Sequence, residues 1–198
     1  MNIEELGEKV RAYYEPRLAA TDDCYEAVGY TAPEFATTRY AILDEVGSLN
    51  EASVLEIGCG IGNLLAYMKE NGFKGEYTGL DLMPEMIAQA RQRHPEARYI
   101  EGDLLQMKNG EAADYVIASG VYQHASKDLF HRSIAAMFQR CKVAAAFNMF
   151  SMWCPAESRN EYLFADPLET MEFCRQFTSH LILRHEYMPH DFTIYMYR

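Results

Sequence analysis

The residues best suited to chemistry cluster in one short stretch, V-L-E-I-G-C-G-I-G-N-L-L, which runs from Val54 to Leu65. A short apolar run is followed by glycines at alternate positions, Gly58, Gly60 and Gly62, and then by good helix-forming residues. A buried strand, a glycine turn and a helix bring a nucleotide-like ligand against the backbone, because a Cβ would block both the turn and the ligand. Glu56 places a carboxylate just before the first glycine, which disfavours a pyrophosphate and suits a ligand that carries an ammonium group.

Further polar and small residues follow the ends of later predicted strands. Asp81 ends the second predicted strand, and Asp103 lies in the turn after the third. Carboxylates at these places can accept hydrogen bonds from hydroxyl or amino groups of a ligand. Ser119 and Gly120 follow the fourth predicted strand. Because parallel strands end at the same edge of a sheet, we expect these residues to lie close together.

The order of the predicted elements supports this placement, since strands alternate with helices as in an open α/β sheet. The predicted strands begin at Val54 and cover 76–82, 97–100, 114–118 and 143–150, and the predicted helices cover 3–20, 32–49, 64–70, 84–93, 128–140 and 167–177. Pro16 predicts a kink or an early end of the first helix. Ser126 is the predicted cap of the fifth helix. Residues 181–198 split at Pro189 into two β-rich arms, which predicts a terminal hairpin that an all-parallel sheet would lack.

Length and the pattern of elements predict a single domain over residues 1–198. Within it, residues 51–198 form the sheet with its ligand-binding edge. Residues 1–50 contribute no predicted strand, so we expect them to be a helical cover or a lid over the ligand. The segment 151–165 is predicted to be irregular, which is longer than a compact domain usually carries without a function.

Composition excludes several classes of protein and site. The formal charge of −11, from 18 basic and 29 acidic residues, disfavours nucleic acid as a partner. The beginning of the sequence has neither the basic nor the apolar region of a signal peptide, and the apolar runs are too short for a membrane span. The 5 cysteines form no C-x-x-C pair, which predicts reduced thiols in a cytoplasmic protein. Histidines recur at His180, His185 and His190, a spacing that suits neither a helix face nor a strand face, so no metal site is predicted.

The string V-L-E-I-G-C-G-I-G resembles the first motif of the class I S-adenosylmethionine-dependent methyltransferases. Asp81 and Asp103 fall where that family places its acidic residues, and D-Y-V-I-A-S-G leads into its fourth motif. The predicted terminal hairpin is similar to the antiparallel last strand of the family. The pieces A-S-G-V-Y, A-F-N-M, Y-L-F-A-D-P-L-E and H-D-F-T-I-Y-M-Y-R resemble a group of small bacterial methyltransferases of unassigned substrate.

The resemblance implies an α/β, Rossmann-like fold with a seven-stranded, mostly parallel sheet, helices on both faces and an antiparallel last strand. It also implies that the cofactor is S-adenosylmethionine and the product S-adenosylhomocysteine. Glu56 would face the ammonium of the cofactor's tail, and the amides of the glycine turn would suit its carboxylate. The residues expected to hold the cofactor are Glu56, Gly58, Cys59, Gly60, Asn63, Asp81, Leu82, Asp103, Leu104, Ser119 and Gly120.

The predicted reaction is transfer of a methyl group, by in-line displacement, to an oxygen or nitrogen atom of a small molecule. The fourth motif, A-S-G-V-Y, lacks the prolines typical of amino methylation of bases, and Cys154-Pro155 is the reverse of the Pro-Cys used for methylation at base C5. Two alternatives remain open. An NAD enzyme is disfavoured because Asn63 stands where G-x-G-x-x-G requires glycine. The other is an inactive cofactor-binding protein, or a partner subunit of another enzyme.

Two residues that follow the fourth strand, His124 and Tyr122, are candidates for a general base, which is needed only if the acceptor atom carries a proton. A surface residue that caps the next helix is an equally good interpretation of His124. Four aromatic residues are candidates for the wall of the acceptor site, although core packing explains each of them equally well: Tyr13, Tyr14, Tyr30 and Trp153.

Overall fold

The computed structural model describes residues 1–107 and 111–198. Its strands are β1 (Val54–Ile57), β2 (Tyr77–Asp81), β3 (Arg98–Glu101), β4 (Ala113–Ala118), β5 (Cys141–Phe150), β6 (Leu181–Arg184) and β7 (Asp191–Tyr197). Within the described residues they form one sheet of seven strands in the order β3-β2-β1-β4-β5-β7-β6. Strands β1 to β5 are parallel, and β7 is antiparallel to both β5 and β6. The predicted mixed sheet with a terminal hairpin is therefore confirmed.

Helices cover both faces of the sheet. The α-helices are α1 (Ile3–Ala20), α2 (Pro33–Asp44), α3 (Asn63–Glu70), α4 (Pro84–Arg93), α5 (Lys127–Arg140) and α6 (Pro167–Cys174). Short 3₁₀ helices lie at Glu26–Val28, Tyr122–His124 and Ala156–Ser158. Side chains alternate along β4, so Tyr115 and Ile117 pack with α2, α3 and α4, whereas Val116 and Ala118 pack with α5 and α6. Burial on both faces explains the nearly continuous apolar runs of the central strands.

One predicted helix end is confirmed and another is wrong. Helix α1 covers the predicted residues 3–20, so Pro16 does not end it early. Pro16 and Ala12, whose carbonyl loses its helical partner there, are both exposed, so water can satisfy that carbonyl. Helix α2 ends at Asp44 rather than at residue 49, because Val46 N–H donates back to Leu43 in a tight turn.

The last predicted helix is also too long. Helix α6 ends at Cys174 rather than Phe177, and the N–H groups of Gln176 and Phe177 bond three residues back in a tighter turn. The segment 151–165 is irregular as predicted, apart from its single 3₁₀ turn and one isolated bridge between Ser151 and Ala165. No helix in the described part of the chain is long and apolar enough to span a bilayer.

The cap of α5 gives a direct test of this local structure. Ser126 Oγ accepts a hydrogen bond from Leu129 N–H (3.3 Å) and begins the helix that covers β4 and β5. We expect Ser126→Ala to lower the free energy of unfolding by about 0.5–2 kcal/mol, because one N–H at the helix start loses its acceptor. Urea denaturation measures this change. Ser179→Ala, at an exposed position outside the helices, is the matched control and should stay within about 0.5 kcal/mol of the parent protein. Equal losses in both variants would contradict the cap.

Candidate active site

A cavity of about 350 Å³ opens at the carboxyl ends of β1, β2 and β4. The strand order reverses direction between β1 and β4, and an open α/β sheet leaves its ligand-binding crevice at such a point. All of the residues predicted to hold the cofactor line this cavity: Glu56, Gly58, Cys59, Gly60, Asn63, Asp81, Leu82, Asp103, Leu104, Ser119 and Gly120. Residues that are distant in the sequence are thus brought together by the ends of the parallel strands.

The glycine turn packs too tightly for any side chain at its first position. Gly58 has φ +67°, and a Cβ there would lie 2.5 Å from Cγ2 of Val121. The turn's own amides are largely used inside the protein: Cys59 N–H donates to Leu80 (3.0 Å) and Gly60 N–H to Asp81 (2.8 Å). These two amides fasten the turn to β2, so the prediction that backbone amides bind a ligand carboxylate rests on the other amides of the turn and on the start of α3.

Asp81 is held in one orientation by the backbone. Its Oδ2 accepts from Gly60 N–H (2.8 Å) and its Oδ1 from Met83 N–H (2.9 Å). Burial raises the pKa of Asp81, and these N–H groups act against that rise. Each carboxylate oxygen has a second lone pair, so each can still accept one hydroxyl group. The fixed carboxylate is therefore suited to a diol such as the one in ribose.

Asp103 and Leu104 form a second part of the cavity wall. Oδ1 of Asp103 accepts from Leu105 N–H (2.7 Å), and burial raises the pKa of this carboxyl group. Leu104 is buried and lines the cavity together with Leu129 of α5. An apolar surface beside a fixed carboxylate suits a flat heterocycle that carries an amino group.

Glu56 is a deeply buried carboxyl group of the cavity. Its side chain is 3% exposed and accepts a hydrogen bond from the hydroxyl of Tyr77 on the neighbouring strand. Burial raises the pKa of Glu56 to about 8, although the Tyr77 hydrogen bond acts in the opposite direction. A cation that enters the cavity next to Glu56 would favour its ionised form.

Asn148, near the end of β5, is a site residue that the sequence analysis missed. Its Oδ1 accepts from Gly120 N–H (2.7 Å), and its Nδ2 donates to Ser119 Oγ (3.3 Å). Asn148 is buried and lines the cavity, so it holds the end of β4 in place. The available signal was one amide in an otherwise apolar strand, V-A-A-A-F-N-M-F.

Aromatic side chains close the cavity beyond Ser119 and Gly120. Three of the four residues predicted for this wall line it, namely Tyr13, Tyr14 and Tyr30, and they are joined by Tyr162 and Phe150. The hydroxyls of Tyr162 and Tyr13 lie 3.1 Å apart, and Gln123 Nε2 donates to the Tyr14 hydroxyl (2.9 Å). Trp153 is the exception. It is 49% exposed and donates from its indole to Asp166 (3.2 Å), outside the cavity.

The two candidate bases, His124 and Tyr122, differ in their relation to the cavity. His124 does not line the cavity. Its ring is 7% exposed and packs against Tyr13, with ring centroids 4.6 Å apart. Burial lowers the pKa of His124, and nearby Lys9 and Arg17 lower it further. Tyr122 lines the cavity, but its hydroxyl donates to the sulfur of Met137 (3.0 Å) in the core.

Comparison with known proteins points to one family. Residues 54–143 match the family model described as a methyltransferase domain. A protein of Mycobacterium tuberculosis assigned to the methyltransferases is 31% identical over 158 residues, which cover 75% of this chain and 95% of that protein. The trans-aconitate 2-methyltransferase of Enterobacter sp. strain 638 is 38% identical over 93 residues, but the match covers only 47% of this chain and 35% of the relative.

Solved structures share the fold at low sequence identity. The magnesium protoporphyrin IX methyltransferase of Synechocystis PCC 6803 with bound S-adenosylhomocysteine superposes with a TM-score of 0.75 over 100% of both chains, at 14% identity. The complex of DhpI with the same product superposes with a TM-score of 0.73 over 98% of this chain and 97% of DhpI, at 19% identity. Both neighbours were crystallised with S-adenosylhomocysteine at their sites.

The raised pKa of Glu56 predicts how affinity for S-adenosylhomocysteine depends on pH. The free protein holds this carboxyl group protonated below about pH 8. We predict that the ammonium group of the ligand binds beside Glu56, where it would favour the carboxylate. Binding should therefore release a proton, and affinity should rise by roughly tenfold or more between about pH 5.5 and 7.5. Calorimetry across this range measures the profile. Glu56→Gln cannot titrate and should show a flat profile, and a flat profile in the parent protein would contradict the role of Glu56.

Proposed function

Because the chain belongs to the class I S-adenosylmethionine-dependent methyltransferases, we propose that it methylates an oxygen or nitrogen atom of a small molecule. One observation carries this proposal: the part of the cavity with Asp81 and Asp103 continues into the aromatic part around Tyr30, within a volume of about 350 Å³. A polymer would need an open surface, whereas this acceptor part is closed by side chains. The charge of −11 also disfavours a nucleic acid acceptor.

In this proposal residues at the ends of β1, β2 and β3 would hold the cofactor. Asp81 would accept from the ribose hydroxyls, and Asp103 with Leu104 would hold the adenine. Glu56 would receive the ammonium of the amino-acid tail, and Ser119 with Gly120 would border the sulfonium. The buried carboxyl groups of Asp81 and Glu56 support this fit, because each has lone pairs that can still accept a hydrogen bond from a polar group of that ligand.

When bound, the cofactor supplies a methyl group on a sulfonium, so the sulfur–carbon bond breaks as the bond from the acceptor atom to that carbon forms. The work of the protein is then to orient the acceptor and to exclude water. Orientation of two reactants can contribute about 7–11 kcal/mol to the lowering of a barrier. Asn148 fixes the end of β4, and Tyr13 and Tyr14 of α1 cover the acceptor part. We propose that α1 acts as a cover, and that its movement admits the acceptor.

Methyl transfer from radiolabelled S-adenosylmethionine tests the proposal. A cell extract is divided into small molecules, protein and nucleic acid, and we expect label in the small-molecule fraction alone. Label in protein or nucleic acid would contradict a small-molecule acceptor. Cofactor binding with no transfer to any fraction would favour the inactive, cofactor-binding alternative.

Matched variants tie that activity to the cavity. Asp81→Ala should weaken cofactor binding by roughly 2–4 kcal/mol and abolish labelling, because two charge-assisted hydrogen bonds are lost. Asp81→Asn keeps one acceptor oxygen and should lose less. Asp166→Ala, in the exposed cap of α6, is the control and should retain both affinity and labelling. Equal affinity of the Asp81→Ala and parent proteins would show that the ribose binds elsewhere.

His124 requires a pair of variants, because a catalytic and a packing role both predict a loss in His124→Ala. A general base predicts a loss of about 100-fold in turnover for both His124→Ala and His124→Phe, with cofactor affinity within about twofold. A packing role predicts that His124→Phe, which keeps a ring beside Tyr13, retains turnover. We expect the second result, because the ring lies outside the cavity lining. Single-turnover methyl transfer measures the difference. A loss of turnover of about 100-fold in His124→Phe would contradict the packing role and support His124 as a general base.

A further inference from the structure

A buried ion pair that the sequence analysis did not single out lies at the acceptor end of the cavity. Nε of Arg39 on α2 donates to Oδ2 of Asp191 at the start of β7 (2.6 Å). The two side chains are 9% and 1% exposed, and both residues line the cavity. Burial alone lowers the pKa of Arg39, but the Asp191 carboxylate outweighs this effect, so the pKa is raised and the guanidinium stays charged.

Asp191 uses only one edge of the guanidinium. The bond runs through Nε, and a two-bonded fork between the residues is not formed. Arginine has five N–H donors. Nε uses one on Asp191 and the Tyr30 hydroxyl is a further partner, so terminal N–H groups remain that can bind another ligand. The guanidinium carbon lies 5.3 Å from the ring centroid of Tyr30 and 5.5 Å from that of Phe150, two walls of the acceptor part.

The sheet order separates Arg39 from the cofactor residues. Asp81 ends β2 and Asp103 follows β3, on one side of β1. Phe150 ends β5 and Asp191 begins β7, and both strands lie beyond β4. Tyr30 connects this group to the predicted position of the methyl group, since its hydroxyl would lie 3.3 Å from a Cβ at Gly120. Arg39 therefore belongs to the acceptor side of the cavity.

Arg39 differs in charge from the other ionisable residues that line the cavity. Of the described residues that line it, Arg39 is the sole cation, whereas Glu56, Asp81, Asp103 and Asp191 are acidic. A neutral acceptor would not require a buried guanidinium. A buried ion pair also costs desolvation free energy that apolar packing would not, so the pair is weak evidence for a purely stabilising role.

Resting on the proposed function, we propose that the methyl acceptor is a small organic acid whose oxyanion binds the terminal nitrogens of Arg39 beside Tyr30. Carboxylates and phosphonates share this chemistry, since each presents two oxygens to the planar guanidinium. Asp191 holds the guanidinium in place through Nε and leaves the other edge for the acceptor. Arg39 is thus a specificity-determining residue, because it selects anionic acceptors within an otherwise acidic cavity.

The test uses the protein saturated with S-adenosylhomocysteine and three matched probes: benzoate, phenylphosphonate and the neutral benzamide. Calorimetry or ligand-observed NMR measures their affinities for the parent protein, Asp191→Asn and the double variant Arg39→Gln/Asp191→Asn. The double variant leaves no orphan buried charge, so it avoids the destabilisation that follows the loss of one partner. Thermal unfolding with S-adenosylhomocysteine verifies that each protein is folded and binds the cofactor product.

We expect an anionic probe to bind the parent protein at least tenfold more tightly than the double variant, and Asp191→Asn at least as tightly as the parent protein. Benzamide should not distinguish the three proteins. A preference between benzoate and phenylphosphonate identifies which oxyanion the site takes. Failure of both anions to bind, or equal anion affinity in the double variant, would overturn the proposal.

Two results separate this proposal from the proposed function. Loss of S-adenosylhomocysteine affinity in the double variant alone would assign Arg39 to the cofactor and overturn its role in binding the acceptor. The proposed methyl transfer would not be contradicted by that result. Absence of S-adenosylhomocysteine binding to the parent protein would instead reject the proposed function itself. We expect the three proteins to bind S-adenosylhomocysteine within about twofold of one another, since Arg39 lies beyond β4.

Discussion

The hydrogen bond from Gly60 N–H to the Asp81 carboxylate joins the ends of β1 and β2, and the cavity depends on this link. The glycine turn can bend back toward β2 because Gly58 has no side chain to strike Val121. The bond fixes Asp81 as well, since its other oxygen is occupied by Met83 N–H. The hydrogen bond between Gly60 and Asp81 therefore fixes both the shape of the turn and the orientation of the carboxylate in the cavity. Elsewhere at the same edge, Asn148 performs the equivalent task for the end of β4.

Burial of a polar group lowers the stability of the fold unless the group has a hydrogen-bond partner, and the buried polar groups of the cavity have such partners. Glu56 has the hydroxyl of Tyr77, and Arg39 has Asp191. Each pair nevertheless leaves capacity unused: a carboxyl group with a raised pKa in one case, and terminal N–H groups of the guanidinium in the other. Glu56 lies beside Tyr77 on the neighbouring strand, whereas Arg39 lies near Tyr30 and Phe150. This difference in surroundings underlies our assignment of Glu56 to the cofactor and of Arg39 to the acceptor.

The acceptor part of the cavity is assembled from segments that are far apart in the sequence. Tyr13 and Tyr14 come from α1, Tyr30 from the loop before α2, and Tyr162 from the irregular segment after β5. Tyr13 and Tyr162 meet through their hydroxyls although 149 positions separate them. A family motif cannot anticipate such contacts, because each segment has its own local pattern.

The sequence by itself determined the sheet, the hairpin and the family, because these follow from local patterns: apolar runs, glycines at alternate positions and caps such as Ser126. It also named the residues that the strand ends bring together, since parallel strands must end at one edge. Only the tertiary structure placed Trp153 and His124 outside the cavity lining and Asn148, Arg39 and Asp191 within it. The physical reason is that a side chain's surroundings come from distant segments: 152 positions separate Arg39 from Asp191, and no local pattern joins them.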